Sequence, residues 1–284
     1  MEIGFIGFGY LGKAIIERLI SQKVKVEIWN RSLEKVEKEY KVVKHPKELA
    51  QKFEFIGLCL SDSSAVREVL TSENLLKGSV KGKTIIDFTT NSYQEVIEFY
   101  EVLKKEGANY LESPVIGSIV PAKEGKLILL VSGEKEIFER AKPFLEKISQ
   151  KIFYFSSPGK ATQAKLINNY VFACFLTTLS SAIVLGEKAG FSKEQILEIL
   201  ASGAGNSTVL NAKKEKLIKE DFSTHFSVKN MIKDLFYFDK LLKEIKGISF
   251  EADLAKEIFK LAQIKGYQEE YVSVIYQIFK ILNS

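Results

Sequence analysis

Short apolar runs alternate with amphipathic stretches through the first half of the chain, and the alternation stops near residue 160. Residues 3–7, 24–29, 53–60 and 84–88 are brief apolar runs of the kind that form strands buried on both faces. Between them, residues 11–22, 64–70 and 93–106 carry apolar positions at helical spacing. Further strands are predicted around 109–112, 126–132 and 151–155, with a helix over 134–148. Repeated βα units of this kind build a parallel sheet with helices on both faces.

From Ala161 onward the pattern is helical to the end, and Pro158-Gly159 marks the switch. Residues 161–189 are apolar nearly all round, which predicts a central, buried helix. The longest apolar stretch, 170–185, is interrupted by Thr177, Thr178, Ser180 and Ser181. It falls short of the roughly 20 residues that span a bilayer, so no membrane segment is expected. Ser192 and Gln195 form a capping box that opens the next helix. Later helices are predicted over 193–202, 208–219, 225–245, 250–265 and 268–282.

Composition narrows the class. A length of 284 residues suits one large domain or two ordinary ones. The net charge of +5 is spread along helical faces with no basic block, so no nucleic-acid arm is expected, while a mild positive field favours anionic ligands. Cys59 and Cys174 lie far apart in apolar runs, which predicts two buried thiols and neither a disulfide framework nor a metal cluster. That usage fits a reducing, cytoplasmic setting, and with the first strand opening at once no leader is expected. His45 and His225 are expected as surface or capping residues.

Residues 7–12 read Gly7-Phe8-Gly9-Tyr10-Leu11-Gly12. Three glycines in six residues arise by chance, so the context carries the reading: the motif follows the first strand directly and opens the first helix. Gly7 permits the tight turn, Gly9 lets the backbone approach a pyrophosphate, and Gly12 lets the helix pack close to the strand. The second strand ends in Asn30-Arg31-Ser32, with none of the acidic residues that accept hydrogen bonds from an NAD ribose. Arg31 offers a planar cation suited to a phosphate, and Asn30 and Ser32 can donate as well. The expected cofactor is therefore NADP(H) in preference to NAD(H); the alternative is a solvated surface arginine. Leu60-Ser61-Asp62-Ser63-Ser64 and Phe88-Thr89-Thr90-Asn91 follow later strands, where ligands of open α/β sheets bind. Hydroxyl residues in those places also cap helices.

Residues 159–169 open the helical half, with Lys165 and Asn169 four apart on one helical face. A lysine at the mouth of a mostly apolar helix is costly unless it faces a polar cleft. Carbonyl reduction needs a proton as the hydride arrives, and a partly desolvated lysine can supply it. The Asn169 amide can hold that lysine or the substrate oxygen. A lysine snorkelling to solvent fits the same spacing.

Four segments, 4–12, 112–127, 159–169 and Lys233-Asp234-Leu235, together resemble the β-hydroxyacid dehydrogenase family, which includes 3-hydroxyisobutyrate dehydrogenases and glyoxylate/succinic semialdehyde reductases. The resemblance covers essentially the whole chain. It implies a Rossmann-type doubly wound α/β domain over 1–160 that binds NADP, and an all-α domain over 161–284 for substrate binding and oligomerisation. It also implies a homodimer or homotetramer acting on a small anionic carbonyl compound or hydroxy acid. Lys165 matches the catalytic lysine and Asn169 its partner. Ile116-Gly117-Ser118 matches the loop that binds the substrate carboxylate, Thr90 a threonine beside the nicotinamide, and Lys233 a lysine lining the cleft, with Asp234 orienting its surroundings. Leu60, Ser61 and Asp62 belong with the cofactor contacts. Three positions depart: Ile116 stands where relatives have serine, Ala161 where they have glycine, and Tyr271 where they have aspartate. The competing readings are a non-catalytic dinucleotide-binding sensor or scaffold, which the retained Lys165 argues against, and a dehydrogenase of the same fold acting on a sugar acid or another substrate.

Overall fold

A computed structural model describes residues 1–71, 74–223 and 226–284. His225 therefore lies outside the described residues. The chain forms two compact units, Met1–Lys165 and Leu166–Ser284.

In the first unit, β1 (Glu2–Ile6), α1 (Tyr10–Ser21), β2 (Lys25–Trp29), β3 (Lys41–Val42), α2 (Pro46–Lys52), β4 (Phe55–Leu58), α3 (Ser63–Val69), β5 (Thr84–Asp87), α4 (Tyr93–Lys105) and β6 (Asn109–Glu112) build parallel βα units. Then come β7 (Val115–Ile116), α5 (Ile119–Glu124), β8 (Leu127–Ser132), α6 (Lys135–Ile148) and β9 (Ser149–Phe155). The sheet runs β3-β2-β1-β4-β5-β6-β8-β7, with β9 on β8. Its first six strands take the order of a doubly wound dinucleotide-binding sheet.

The sheet is not parallel throughout. β8 runs antiparallel to β6 and β7, and parallel to β9. The connection from β6 to β8 holds β7, which pairs antiparallel with β8 itself, so β8 runs back along the edge of β6. Strand periodicity reports burial, not direction, so the sequence pattern could not show this. β3, β7 and α5 are too short to register in the hydrophobic pattern, which does not predict α2 either.

Alternate residues of each central strand face two cores. Ile3, Phe5, Ile86 and Leu111 pack with α1 and α6 residues such as Ile15 and Phe144 on one side. Ile6, Ile56, Leu58 and Ile85 pack with Leu49, Val66 and Phe99 on the other. Gly57 leaves room for the Phe5 ring; a Cβ there would meet it at 2.8 Å. The closing box of α2 also involves a residue singled out above: His45 takes the N-cap position and its N–H donates to Glu48 Oε1 at 2.9 Å.

The second unit is helical. It takes most of α7 (Lys160–Lys188), then α8 (Lys193–Ser202), α9 (Thr208–Lys219), α10 (Val228–Ile245), α11 (Phe250–Ile264) and α12 (Ile275–Leu282). Ser192 Oγ accepts from Gln195 N–H at 3.1 Å and Gln195 Oε1 from Ser192 N–H at 2.8 Å, the expected capping box. The last helix is shorter than its predicted span, because 272–274 form a 3-10 turn that the bridge between Ser227 and Tyr271 holds in place.

Two expectations about burial fail. α7 is not covered all round: Ile167, Val171, Phe175 and Leu185 are exposed on one face. α7 is also long and apolar enough to cross a bilayer by length and composition alone, with half of its most apolar window buried. The two cysteines are half-buried rather than buried, and neither is in a disulfide. Among the described residues no group of His, Cys, Asp and Glu is arranged to hold a metal ion.

Phe5 is fully buried and stacks on Phe88 at 6.1 Å between ring centroids. Phe5→Ala is expected to lower the unfolding free energy by about 3–5 kcal/mol, measured by urea denaturation, since the stack cannot collapse to fill the space.

Candidate active site

The glycine turn between β1 and α1 is shaped by close backbone contacts. Gly7 has φ +106°, and a Cβ on it would meet the Cys59 carbonyl oxygen at 2.2 Å. A Cβ on Gly12 would meet the Gly7 carbonyl oxygen at 2.5 Å, so α1 could not start so close to β1. Gly9 is different: a Cβ there would meet nothing within 4 Å. It is the N-cap of α1, no side chain caps that end, and no acidic residue sits in the first turn. Open space in front of an uncapped helix N-terminus fits a pyrophosphate. Tyr10 stands exposed beside it, with Phe8 and Leu11 half-buried.

The end of β2 is tied to this turn. Phe8 N–H donates to Asn30 Oδ1 at 3.1 Å, and Asn30 Nδ2 donates to the Ser32 carbonyl at 2.9 Å. The Asn30 side chain thus shapes the loop, a use its sequence position did not reveal. Arg31 points to solvent, 3.6 Å from the exposed Glu68 carboxylate.

The loops after β4 and β5 hold each other. Leu60 N–H donates to Thr89 Oγ1 at 3.0 Å, and Ser92 N–H donates to Ser63 Oγ at 2.9 Å. Asp62 caps α3, its Oδ1 accepting from Ala65 N–H at 2.9 Å. Under these loops Asp87 is fully buried and accepts from Thr89 N–H at 2.9 Å, Asn91 Nδ2 at 2.8 Å and the Tyr110 hydroxyl at 2.7 Å. Burial pushes its carboxyl above the usual carboxylate range. Thr90, half-buried, is carried by the loop this carboxyl braces.

The segment expected to bind the substrate carboxylate follows β6. Ile116 ends β7, and its partner in the ladder is Ile128. Gly117 has φ +127°, and a Cβ on it would meet Leu127 Cδ2 at 2.8 Å. Ser118 takes the N-cap position of α5 without making a capping hydrogen bond.

A row of paired residues runs along this edge: Asp87 pairs with Glu112, and Glu112 with Ser132. Glu112, only 1% exposed, reaches the start of α7. It accepts from the N–H groups of Gly159 and Thr162 and from the Thr162 hydroxyl. Ser132 Oγ accepts from Ala161 N–H at 2.8 Å. Lys165, one turn on, is buried with 9% exposure. Asp87 and Glu112 were not among the residues the sequence reading assigned a site role. The signal was there: each is an acidic residue closing a strand directly after two buried apolar or aromatic positions.

In the second unit, Asn169 is held by Asp234, with Nδ2 donating to Oδ2 at 2.6 Å. Asn168 Nδ2 donates to Asn169 Oδ1 at 3.2 Å. Lys233 Nζ lies 3.2 Å from Asp234 Oδ1 and 5.4 Å from the centre of the Tyr237 ring. Tyr271 is buried, and its hydroxyl meets Lys213 Nζ. Burial pushes the phenol up to about 12 and the amine down to about 8. A cavity of about 370 Å³ between Glu2, Tyr40 and Lys52 lies at the opposite ends of β1 and β2, away from this chemistry.

Comparison with known proteins places this geometry. Residues 2–156 match the family described as the NAD binding domain of 6-phosphogluconate dehydrogenase. Residues 159–279 match the one described as NAD-binding of NADP-dependent 3-hydroxyisobutyrate dehydrogenase. Glyoxylate/succinic semialdehyde reductase 1 of Arabidopsis thaliana is 30% identical over 285 residues, 99% of each chain. Among solved structures, Psf3 in complex with NADP+ and 2-OPP superposes with TM-score 0.90 at 24% identity, covering 97% of this chain and 99% of that one. The 3-hydroxyisobutyrate dehydrogenase of Mycobacterium tuberculosis, with L-serine, gives 0.87 at 22% identity over 98% of both. With both family matches in sequence along the chain, the protein belongs to the 3-hydroxyisobutyrate dehydrogenase-like β-hydroxyacid dehydrogenases and is an NAD(P)-dependent oxidoreductase acting on CH–OH and C=O groups.

Proposed function

We propose that the protein is an NADPH-dependent reductase of small aldehydes or keto acids that carry an anionic group, with Lys165 as its general acid. The observation that carries this reading is a buried lysine followed, one helical turn on, by Asn169, whose amide Asp234 holds in one orientation. When bound, the cofactor supplies and accepts the hydride. Lys165 gives its proton to the carbonyl oxygen as that oxygen gains charge, and takes it back from the hydroxyl in the reverse direction. Asn169 orients the lysine or the substrate oxygen. Gly117 and Ser118 offer donors to the substrate carboxylate, and Ile116 stands where relatives carry a hydroxyl. The resemblance to a glyoxylate/succinic semialdehyde reductase supports this substrate class.

Gly7 to Gly12, Asn30 to Ser32, the Leu60–Asp62 loop and Thr90 are the proposed cofactor contacts. Arg31 supports NADP(H) over NAD(H), because its exposed pairing with Glu68 contributes little and can be exchanged for a phosphate. The exposed face of α7 supports a homodimer or homotetramer. The separated thiols support a cytoplasmic location.

An NADPH-oxidation panel over glyoxylate, succinic semialdehyde and related aldehydes should show turnover, and Lys165→Ala should reduce kcat at least about 100-fold. Undiminished turnover in that variant would remove the acid/base role. Arg31→Ala is expected to lower the NADPH-over-NADH ratio of kcat/KM by about 10- to 100-fold, the worth of a lost charge-assisted contact. Sedimentation at working concentration should give a dimer or tetramer; a monomer contradicts the assembly.

A further inference from the structure

We propose that Glu112 is a positioning residue for the reaction: it holds the first turn of α7, and with it Lys165, at the carboxyl edge of the sheet. The inference rests on the acid/base role proposed for Lys165.

The first N–H groups of a helix have no partner within the helix. At the start of α7 the partners are side chains from two neighbouring strands. One Glu112 oxygen accepts from Gly159 N–H, while the other accepts from Thr162 N–H at 2.8 Å and the Thr162 hydroxyl at 2.5 Å. Ser132 Oγ accepts from Ala161 N–H at 2.8 Å. Glu112 and Ser132 face each other as the one registered pair of the antiparallel β6·β8 contact. Gly159 has φ +80°, and a Cβ on it would meet the Tyr93 ring at 2.3 Å, so this close approach to α4 requires glycine. Thr162 is three residues before Lys165 on the same helix, so the turn that Glu112 holds is the turn from which Lys165 projects.

Only a carboxylate serves both sides. A glutamine would turn an amide N–H₂ toward N–H donors and lose at least one bond. Protonation does the same, because one oxygen becomes a donor. Burial pushes the Glu112 carboxyl up to about 7 against the hydrogen bonds from Thr162, Gly159 and Ser132 that hold it down. Tyr100 of α4 and Tyr110 of β6 feel its charge, and burial raises both phenols so that they stay neutral. Asp87 of β5 is the neighbouring carboxyl, Tyr154 of β9 adds to the field at Tyr100, and Lys160 and Lys165 are the cations in the first two turns of α7. The accepting carboxylate is therefore present above about 7 and lost as pH falls through that value.

The test compares wild type, Glu112→Gln, Glu112→Asp and Thr162→Val, with Lys165→Ala alongside, using NADPH with glyoxylate or succinic semialdehyde. Glu112→Gln is expected to lower kcat about 10- to 100-fold with KM for NADPH within about twofold, as a misplaced proton donor would. The loss of kcat below about pH 7 in wild type should be absent from that variant. Amide exchange over 159–165, measured without substrate, should speed up by about 10-fold or more while the sheet keeps its protection. Glu112→Asp should recover part of the loss. Thr162→Val, which removes only the hydroxyl, should move kcat and exchange the same way by less, and it carries the test if Glu112→Gln does not fold. The proposal is overturned if both variants keep wild-type exchange and kcat, or if KM for NADPH rises in step with the loss. Full activity in Lys165→Ala would instead remove the underlying acid/base reading; an inactive Lys165→Ala beside an unaffected Glu112→Gln removes the positioning role alone.

Discussion

A carboxylate taken out of water must be met by hydrogen-bond donors, and the first unit places two of them side by side at the ends of β5 and β6. Asp87 gathers Thr89, Asn91 and Tyr110, and so shapes the loop that carries Thr90. Glu112 gathers Gly159 and Thr162, and so sets where α7 begins. The cofactor-side loop and the start of the lysine helix are thus both set by buried acids in one registered row of the sheet. The antiparallel return of β8 completes that row by bringing Ser132 beside Glu112.

The nucleotide edge obeys a steric constraint. Gly7 and Gly12 are forced by backbone atoms that leave no space for a Cβ, while Gly9 faces open space at the helix N-terminus. The same three-glycine motif therefore holds two different requirements: two residues keep β1 and α1 close, and one keeps the approach clear. Asn30 extends the constraint to the end of β2 by bonding the turn itself, which leaves Arg31 as the outward-facing group of its segment.

The departures from the family pattern differ in consequence. Tyr271 is buried and brings a neutral hydroxyl to Lys213, whose amine is correspondingly lowered by burial. Ile116 ends β7 with an apolar side chain beside Gly117, whose positive φ demands the conformation that a glycine alone takes easily there. Ala161 in place of glycine is accommodated within the first turn of α7, where its N–H is used by Ser132.

Much of the architecture was legible in the chain itself. The alternation of apolar runs located the main strands and helices, because burial on one face or two leaves a periodic trace. The glycine motif located the tight turn between β1 and α1, because only glycine fits at Gly7 and Gly12, and the spacing of Lys165 and Asn169 put both on one helical face. What the chain could not show is whatever depends on partners distant in sequence. Strand direction at β8, the exposed face of α7 and the half-buried cysteines follow from which surfaces meet. The use of Asn30 in the turn, of Asp234 on Asn169 and of Glu112 on α7 links residues 22, 65 and 47 to 50 positions apart. A buried polar side chain takes its role from the donors and acceptors that the fold carries to it, and only the tertiary structure decides which those are.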